Sequence, residues 1–244
     1  MNLNIIIIIS ILLILLFVVL IQKRNKKEFF EKYKPAEKVV YVVWTGNNDM
    51  SLNRQKCYDS IVKNIGVKVI LITPKNIDQF ILKEHPIHPA YAYLSNVHKS
   101  DYLRTYLMHH YGGGYTDIKQ TDTNWNDYFD NLNNSDNWCN GYTEISGGSA
   151  SSDKDIQQHY SKYIGNGSYI FKPYTPLTYS WYNKLHTKLD NSLEKLKKQG
   201  INNNSREDIL PWAFLLGEHF HDCIKPYTDK VLHDLPIINT NNYQ

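Results

Sequence analysis

Apolar residues along the chain fall into runs separated by polar segments, and these runs predict an α/β fold. Residues 39–44 form a continuous β-branched and aromatic run, which is typical of a strand buried on both faces of a parallel sheet. Residues 67–72 predict a second buried strand, and a helix from Ser51 to Asn64, ended by Gly66, is predicted between the two. Strands that alternate with helices indicate a mostly parallel, Rossmann-like sheet flanked by helices.

The alternation continues through the second half of the chain. A long helix is predicted from Thr175-Pro176 to Lys198, because threonine is a good N-cap, proline suits the first helical position and the last turn is basic. Residues 146–155 contain only Gly, Ser, Asp, Lys and Ala, so they predict either a loop that closes over a substrate or a disordered insertion. The other predicted elements are helices at 76–83, 123–132 and 212–220, the last capped by Ser205 with Asp208, and strands at 138–145 and 169–171.

The amino-terminal end of the chain is almost entirely apolar. Residues 3–21 are long enough to cross a bilayer as a helix, which takes roughly 20 residues. A cleaved signal peptide is the alternative, but it would need a basic start, a shorter apolar core and a small-residue cleavage site. We therefore predict a transmembrane anchor at 1–22, a charged linker at 23–38 and one catalytic domain at 39–244.

The charge next to this span predicts which way it is oriented. Four basic residues lie between positions 23 and 27 and none precedes the span, so the positive-inside rule places the domain in the cytosol. A lumenal domain held by a Golgi-type signal anchor is the alternative, and N-x-S sequons would support it. These sequons begin at Asn133, Asn166 and Asn203.

Composition excludes several classes of protein. The 244 residues are 42% hydrophobic, which is enough for one good-sized core. The formal net charge is only +3, and the basic residues are scattered, so we expect no nucleic-acid partner. Cys57, Cys139 and Cys223 are odd in number and widely spaced, which indicates buried free thiols rather than a disulfide framework.

Residues 95–119 carry the clearest chemical pattern. Ser95 is a plausible N-cap of a helix on which Asp101 and Arg104 are three residues apart. That spacing places a carboxylate and a guanidinium on one helix face, either as a surface ion pair or as a polar fork for a hydroxylated ligand. Three glycines, 112–114, then end the helix and allow backbone to approach closely.

A short strand is predicted after these glycines, at residues 115–119. Side chains alternate along a strand, so Asp117 and Lys119 would point the same way from its carboxyl end. In open α/β sheets this edge is where ligands bind.

The motifs D-Y-L-R and Y-G-G-G-Y-T-D-I-K resemble those of DXD-motif glycosyltransferases of the sugar-binding and capsular polysaccharide synthesis type. This resemblance implies a GT-A fold, a nucleotide diphosphate sugar as donor, a glycan or other polyhydroxyl acceptor, and retention of anomeric configuration. It implies that Asp101 and Arg104 hold sugar hydroxyls, that Asp117 contacts the ribose or a cation, and that Trp44 lies against the nucleotide base. The donor site implied by the resemblance comprises Trp44, Thr45, Gly46, Asp101, Arg104, Tyr115, Asp117 and Asn166.

The chain departs from this family where Lys119 occupies the position of the second aspartate of D-x-D. The family pattern implies a divalent cation, Mn²⁺ or Mg²⁺, held by oxygen ligands. Here either the Lys119 ammonium replaces the cation, or the cation moves to Asp117 with Asp122 or His233. Asp101, Arg104, Asp117 and Lys119 are thus the predicted catalytic residues. A membrane-tethered binding or assembly protein on a catalytically degenerate fold is the alternative function.

Overall fold

The structure is a computed structural model that describes residues 10–19, 33–202 and 209–238. The chain divides into two compact units, Met1–Pro35 and Ala36–Gln244. In the first unit, residues 10–19 are helical (α1) and their side chains are exposed. Most of the predicted anchor and linker lies outside the described residues, as does the predicted cap formed by Ser205 and Asp208. Within the described part of the chain, no helix is both long and apolar enough to cross a bilayer.

Over its described residues, 36–202 and 209–238, the second unit contains a six-stranded mixed sheet. Its strands are β1 Val39–Val43, β2 Lys68–Ile72, β3 Gly113–Thr116, β4 Cys139–Thr143, β5 Ile164–Phe171 and β6 Val231–Leu232. Their order across the sheet is β2-β1-β3-β5-β4-β6. β1 pairs in parallel with β2 and β3, and β4 pairs in parallel with β6, whereas β5 is antiparallel to both of its neighbours. The prediction of an α/β sheet is confirmed, but the sheet is mixed rather than mostly parallel.

The helices confirm the three predicted caps that lie within the described residues. They are α2 Leu52–Asn64, α3 Asn96–His110, α4 Asn126–Asn133, α5 Lys154–Gln158, α6 Pro176–Gln199 and α7 Phe220–Ile224. The side chains of Ser51, Ser95 and Thr175 accept hydrogen bonds from backbone N–H groups in the first turns of α2, α3 and α6. The predicted helix at 76–83 is only a 3-10 turn, Ile77–Phe80. The predicted helix at 212–220 is wrong, because residues 212–219 form a series of turns and α7 begins only at Phe220.

The connection before β5 stays at one end of the sheet. It runs from residue 144 to residue 163 and contains the five-residue α5 and a short 3-10 turn. Ser151 in this connection donates a hydrogen bond to Asp222 of α7. β5 begins at the end of the sheet where β4 ends, runs antiparallel to both of its neighbours and inserts between β3 and β4.

β2 is less buried than its sequence predicts. It is the edge strand of the sheet, and only Ile72 is buried while Lys68 is exposed. A central strand such as β1 is covered on both faces, which an edge strand need not be. Predicted burial of the three cysteines is confirmed: Cys57, Cys139 and Cys223 are buried free thiols.

Helices cover both faces of the sheet. Val40 and Val42 of β1 pack with α2 and α4 in one hydrophobic core. On the opposite face α3 packs against β1, β3, β5 and α6. Every residue of α3 from Asp101 to His110 is buried. Asp101 and Arg104, the charged groups of this buried part of the helix, are thus largely held away from bulk water.

Aromatic rings fix α3 against α6. His109 stacks on Tyr182 with ring centroids 4.7 Å apart, and Tyr182 contacts His186 at 4.1 Å. Burial is the main cause that lowers the pKa of His109 and His186 to about 4, so both rings are neutral near pH 7. Neutral rings can pack closely here without the cost of buried charge.

Glycines shape the turn from α3 into β3. Gly112 and Gly113 have φ values of +65° and +82°, a region that other residues rarely adopt. A Cβ atom at Gly113 would also lie 2.8 Å from the carbonyl oxygen of Val39. The turn therefore lets β3 run directly beside β1, with its carboxyl end returning toward the first turns of α3.

Candidate active site

A cavity of about 510 Å³ opens at the edge of the sheet where β1 and β3 end and β5 begins. The residues around it come from α2 and α3, from the segments after β1 and β3, and from two later loops. Every residue that the resemblance implicates in catalysis or donor binding lines this cavity. The structure thus brings together in space residues that are far apart in the sequence.

Asp101 and Arg104 are a buried pair rather than a surface ion bridge. The two residues are 4% and 7% exposed, and Arg104 Nη2 lies 3.4 Å from Asp101 Oδ1. The same Nη2 lies 3.3 Å from Oδ1 of Asp117, which follows β3. One guanidinium therefore bridges two carboxylates that belong to different secondary-structure elements.

Arg104 also contacts β5 and an aromatic ring. Its Nη1 donates a hydrogen bond of 3.0 Å to the carbonyl of Asn166, and its Cζ lies 4.4 Å from the centre of the Tyr115 ring. Burial works against the charge on Arg104, but Tyr115, Asp117 and Asp101 outweigh burial and raise the pKa of the guanidinium. Arg104 is thus a permanent cation at the centre of the site.

Asp117 and Lys119 lie after β3 rather than within a strand. β3 ends at Thr116, so the strand predicted at 115–119 is wrong in its bounds. The Lys119 N–H donates to the carbonyl of Asp117 at 2.8 Å, which makes a tight turn. This turn places Lys119 Nζ 3.6 Å from Asp117 Oδ2, while the Tyr115 hydroxyl donates to Asp117 Oδ1 at 2.9 Å.

Residues 44–46 form the wall of the cavity beside β1. Trp44 is half-buried, packs partly on the core and donates from Nε1 to the carbonyl of Asn48 at 2.8 Å. Thr45 Oγ1 donates to the carbonyl of Asn96, the first residue of α3, at 2.6 Å. Thr45, Asn48 and Asn96 also line a second cavity of about 380 Å³.

Neither predicted cation partner of Asp117 lies on this cavity. Asp122 is exposed and accepts from Thr123 Oγ1, and His233 follows β6 and lies 3.5 Å from Thr143 Oγ1. β6 is separated from β3 by two strands, which explains why His233 does not reach Asp117. Over residues 10–19, 33–202 and 209–238, no group of three or more His, Cys, Asp or Glu side chains could hold a metal ion.

Comparison with protein families identifies the chain. The model of the family described as "Capsular polysaccharide synthesis protein" matches residues 17–139, which is half of the chain. The chain belongs to the capsular polysaccharide synthesis protein family. A solved structure named "PaToxG Glycosyltransferase" is similar to this family member, with a TM-score of 0.42, 15% identity and coverage of 74% of this chain and 72% of that one. The comparison with curated proteins finds no match.

Several cavity residues of this family member were not predicted from the sequence. Arg54, on α2, donates from Nη1 to the carbonyl of Ile118 at 2.7 Å and lines the cavity. Ser100 precedes Asp101, and its Oγ lies 3.5 Å from Arg104 Nη2. Ser100 could have been found by its position one turn from Arg104. No local pattern distinguishes Arg54 from other helix-surface arginines.

The loop at 146–153 is fixed rather than an unattached insertion. Its Ser149 Oγ lies 2.7 Å from His221 Nδ1, and His221 Nε2 lies 3.4 Å from Glu144 Oε2. Ser151 donates to Asp222 at 2.6 Å. Burial is the main cause that lowers the pKa of His221, which is 1% exposed. These contacts join the loop to α7 and place Gly148 and Ala150 on the cavity.

Proposed function

We propose that this family member is a glycosyltransferase that moves a sugar from a nucleotide diphosphate sugar to a hydroxyl of a glycan or other polyhydroxyl acceptor. One observation carries the proposal: a single cavity at the carboxyl edge of the sheet gathers Asp101, Arg104, Asp117 and Lys119. This edge is the usual ligand site of open α/β sheets. Family membership in capsular polysaccharide synthesis supports the same reaction class.

The charges of the cavity suit a nucleotide diphosphate sugar. Among the described residues, the charged ones that line it are three cations, Arg54, Arg104 and Lys119, and two carboxylates, Asp101 and Asp117, which leaves one net positive charge. An anionic diphosphate is attracted by this balance, and carboxylate oxygens can accept hydrogen bonds from sugar hydroxyls. Arg104 holds both carboxylates in place, so the site needs little rearrangement when the donor binds.

In the proposed reaction the bond between the sugar C1 and the diphosphate oxygen breaks, and its electron pair goes to the diphosphate. The acceptor oxygen forms the new bond to C1, and its proton passes to the leaving diphosphate. We propose that the anomeric configuration is retained, as the family resemblance implies. Negative charge grows on the leaving diphosphate, and fixed positive charge aimed at it lowers the barrier.

The residues present do not fit the divalent cation of D-x-D enzymes. Both oxygens of Asp117 already face cations, since Oδ1 is 3.3 Å from Arg104 Nη2 and Oδ2 is 3.6 Å from Lys119 Nζ. A metal ion at Asp117 would be repelled by the neighbouring ammonium. We therefore assign the role of the cation to Lys119, with Arg54 as a second positive group on the same wall.

The proposal includes an amino-terminal membrane anchor with the catalytic domain in the cytosol. It is supported by the apolar run at 3–21 and by the basic residues that follow it. A membrane enzyme of this kind would meet a nucleotide sugar made in the cytosol and a growing glycan held at the bilayer.

The experiment that tests the function is a screen of the purified full-length chain against nucleotide sugars and a pool of glycan acceptors. Nucleotide release and thermal shift are measured together. We expect at least one donor to give both, and Asp101→Asn to cut release about a hundredfold, which is about 2.7 kcal/mol. The matched control is Asp130→Asn, because Asp130 is paired with Lys38 on the surface. Donor binding without any turnover would instead favour the binding or assembly function.

Removal of metal tests the role of Lys119. We expect activity to persist in EDTA, to fall at least about tenfold in Lys119→Ala because a charge at the diphosphate is lost, and to become manganese-dependent in Lys119→Asp. Lys38→Ala serves as the control for loss of a surface lysine. Wild-type activity that disappears in EDTA and returns with manganese or magnesium would contradict this assignment.

Membrane extraction tests the anchor. Full-length protein should stay in the membrane fraction through carbonate and high-salt washes, because a spanning helix is not released by loss of charge interactions. A truncated chain that begins at Glu28 should be soluble. Release of the full-length chain by carbonate would reject the anchor, and a mature terminus near Lys26 would show a cleaved signal peptide.

A further inference from the structure

A large exposed aromatic ring lines the cavity, and it comes from a segment of the chain far from the charged residues in the sequence. Trp212 is 69% exposed and lines the same 510 Å³ cavity as Asp101 and Arg104. Aromatic side chains that line a cavity commonly contact its ligand, because an indole offers a large apolar face and a polar N–H group. The proposed roles of the charged groups do not account for this ring.

The backbone that carries Trp212 is held firmly. The Trp212 carbonyl lies 3.2 Å from Nε2 of His98, a fully buried residue in the first turn of α3. Two residues later, the carbonyl of Phe214 accepts a 2.8 Å hydrogen bond from Lys188 Nζ, and this lysine also pairs with Glu218 at 2.8 Å. The ring is therefore presented from a fixed segment, which reduces the entropy lost when a ligand stacks on it.

A second loop completes this wall of the cavity. A Cβ atom at Gly217 would lie 3.0 Å from the Cβ of Ala150, so the segment after Trp212 touches the loop at 146–153. That loop is itself attached to α7 through Ser149 and Ser151. Among the described residues that line this wall none is charged; they are Gly148, Ala150, Trp212, Ala213, Leu216 and Gly217.

We propose that Trp212 is the stacking platform for a neutral sugar ring of the acceptor. A pyranose has hydroxyls around its edge and a face of C–H bonds, and the negative face of an indole attracts these slightly positive hydrogens. The described residues of this wall are uncharged, which suits a neutral saccharide, whereas the anionic donor suits the cationic part of the lining that includes Arg54 and Lys119. This inference rests on the proposed glycosyl transfer and adds the position of the acceptor.

Kinetics of Trp212→Ala and Trp212→Phe in the full-length chain test the platform. We expect Trp212→Ala to reduce transfer at least about tenfold through a higher KM for the acceptor, since loss of binding shared by ground and transition states raises KM. Donor thermal shift and donor hydrolysis in water should stay within about twofold of wild type. Trp212→Phe should restore most of the transfer. Tyr179→Ala is the control, because Tyr179 is 61% exposed and does not line the cavity.

Binding of saccharides gives a readout that does not depend on turnover. Saturation-transfer NMR with neutral hexose and N-acetylhexosamine oligosaccharides should show contact to ring C–H protons in wild type and loss of contact in Trp212→Ala. If no saccharide contacts the wild-type chain, or if Trp212→Ala weakens donor binding as much as transfer, the acceptor platform is rejected. Failure of the proposed function would look different, since no nucleotide sugar would then be bound or cleaved by wild type.

Discussion

The structure of the site depends on one buried guanidinium between two carboxylates. Arg104 joins Asp101 of its own helix to Asp117 after β3, and its hydrogen bond to Asn166 extends the connection to β5. Buried charges are costly to remove from water, so such a group persists only where its partners satisfy it. The contacts of Arg104 with Asp101, Asp117 and Asn166 offset this cost, and they also fix the two carboxylates that face the cavity. The same interaction therefore supports the fold and arranges the chemistry.

Two features of the fold make this interaction possible. The glycines at 112 and 113 turn the chain so that β3 leads back along α3, which brings Asp117 within reach of Arg104. On its other side α3 is held by rings of α6, including Tyr182 stacked on His109. Neither these glycines nor these rings line the cavity. Both fix the helix whose first three turns carry Asp101 and Arg104.

Local patterns in the sequence predicted the caps at Ser51, Ser95 and Thr175 and the buried first strand, and the family resemblance supplied the residues that gather on the cavity. They did not predict features that depend on contacts between residues far apart in the sequence. The antiparallel insertion of β5 between β3 and β4 is a matter of strand order, and the exposure of β2 follows from its position at the edge. The distance of His233 from Asp117 is set by strand order. Trp212 reaches the cavity only through tertiary folding, more than a hundred residues after the motif at Asp101.

The most direct test of this account is a double-mutant cycle on the free energy of unfolding in urea. The four proteins are wild type, Arg104→Met, Asp117→Asn and the double variant, and the exposed pair of Lys38 with Asp130 provides a matched cycle. We predict a coupling of about 2–3 kcal/mol for the buried pair, compared with at most about 1 kcal/mol for the surface pair. A coupling for Arg104 and Asp117 no larger than that of the surface pair would contradict the central role of the buried guanidinium.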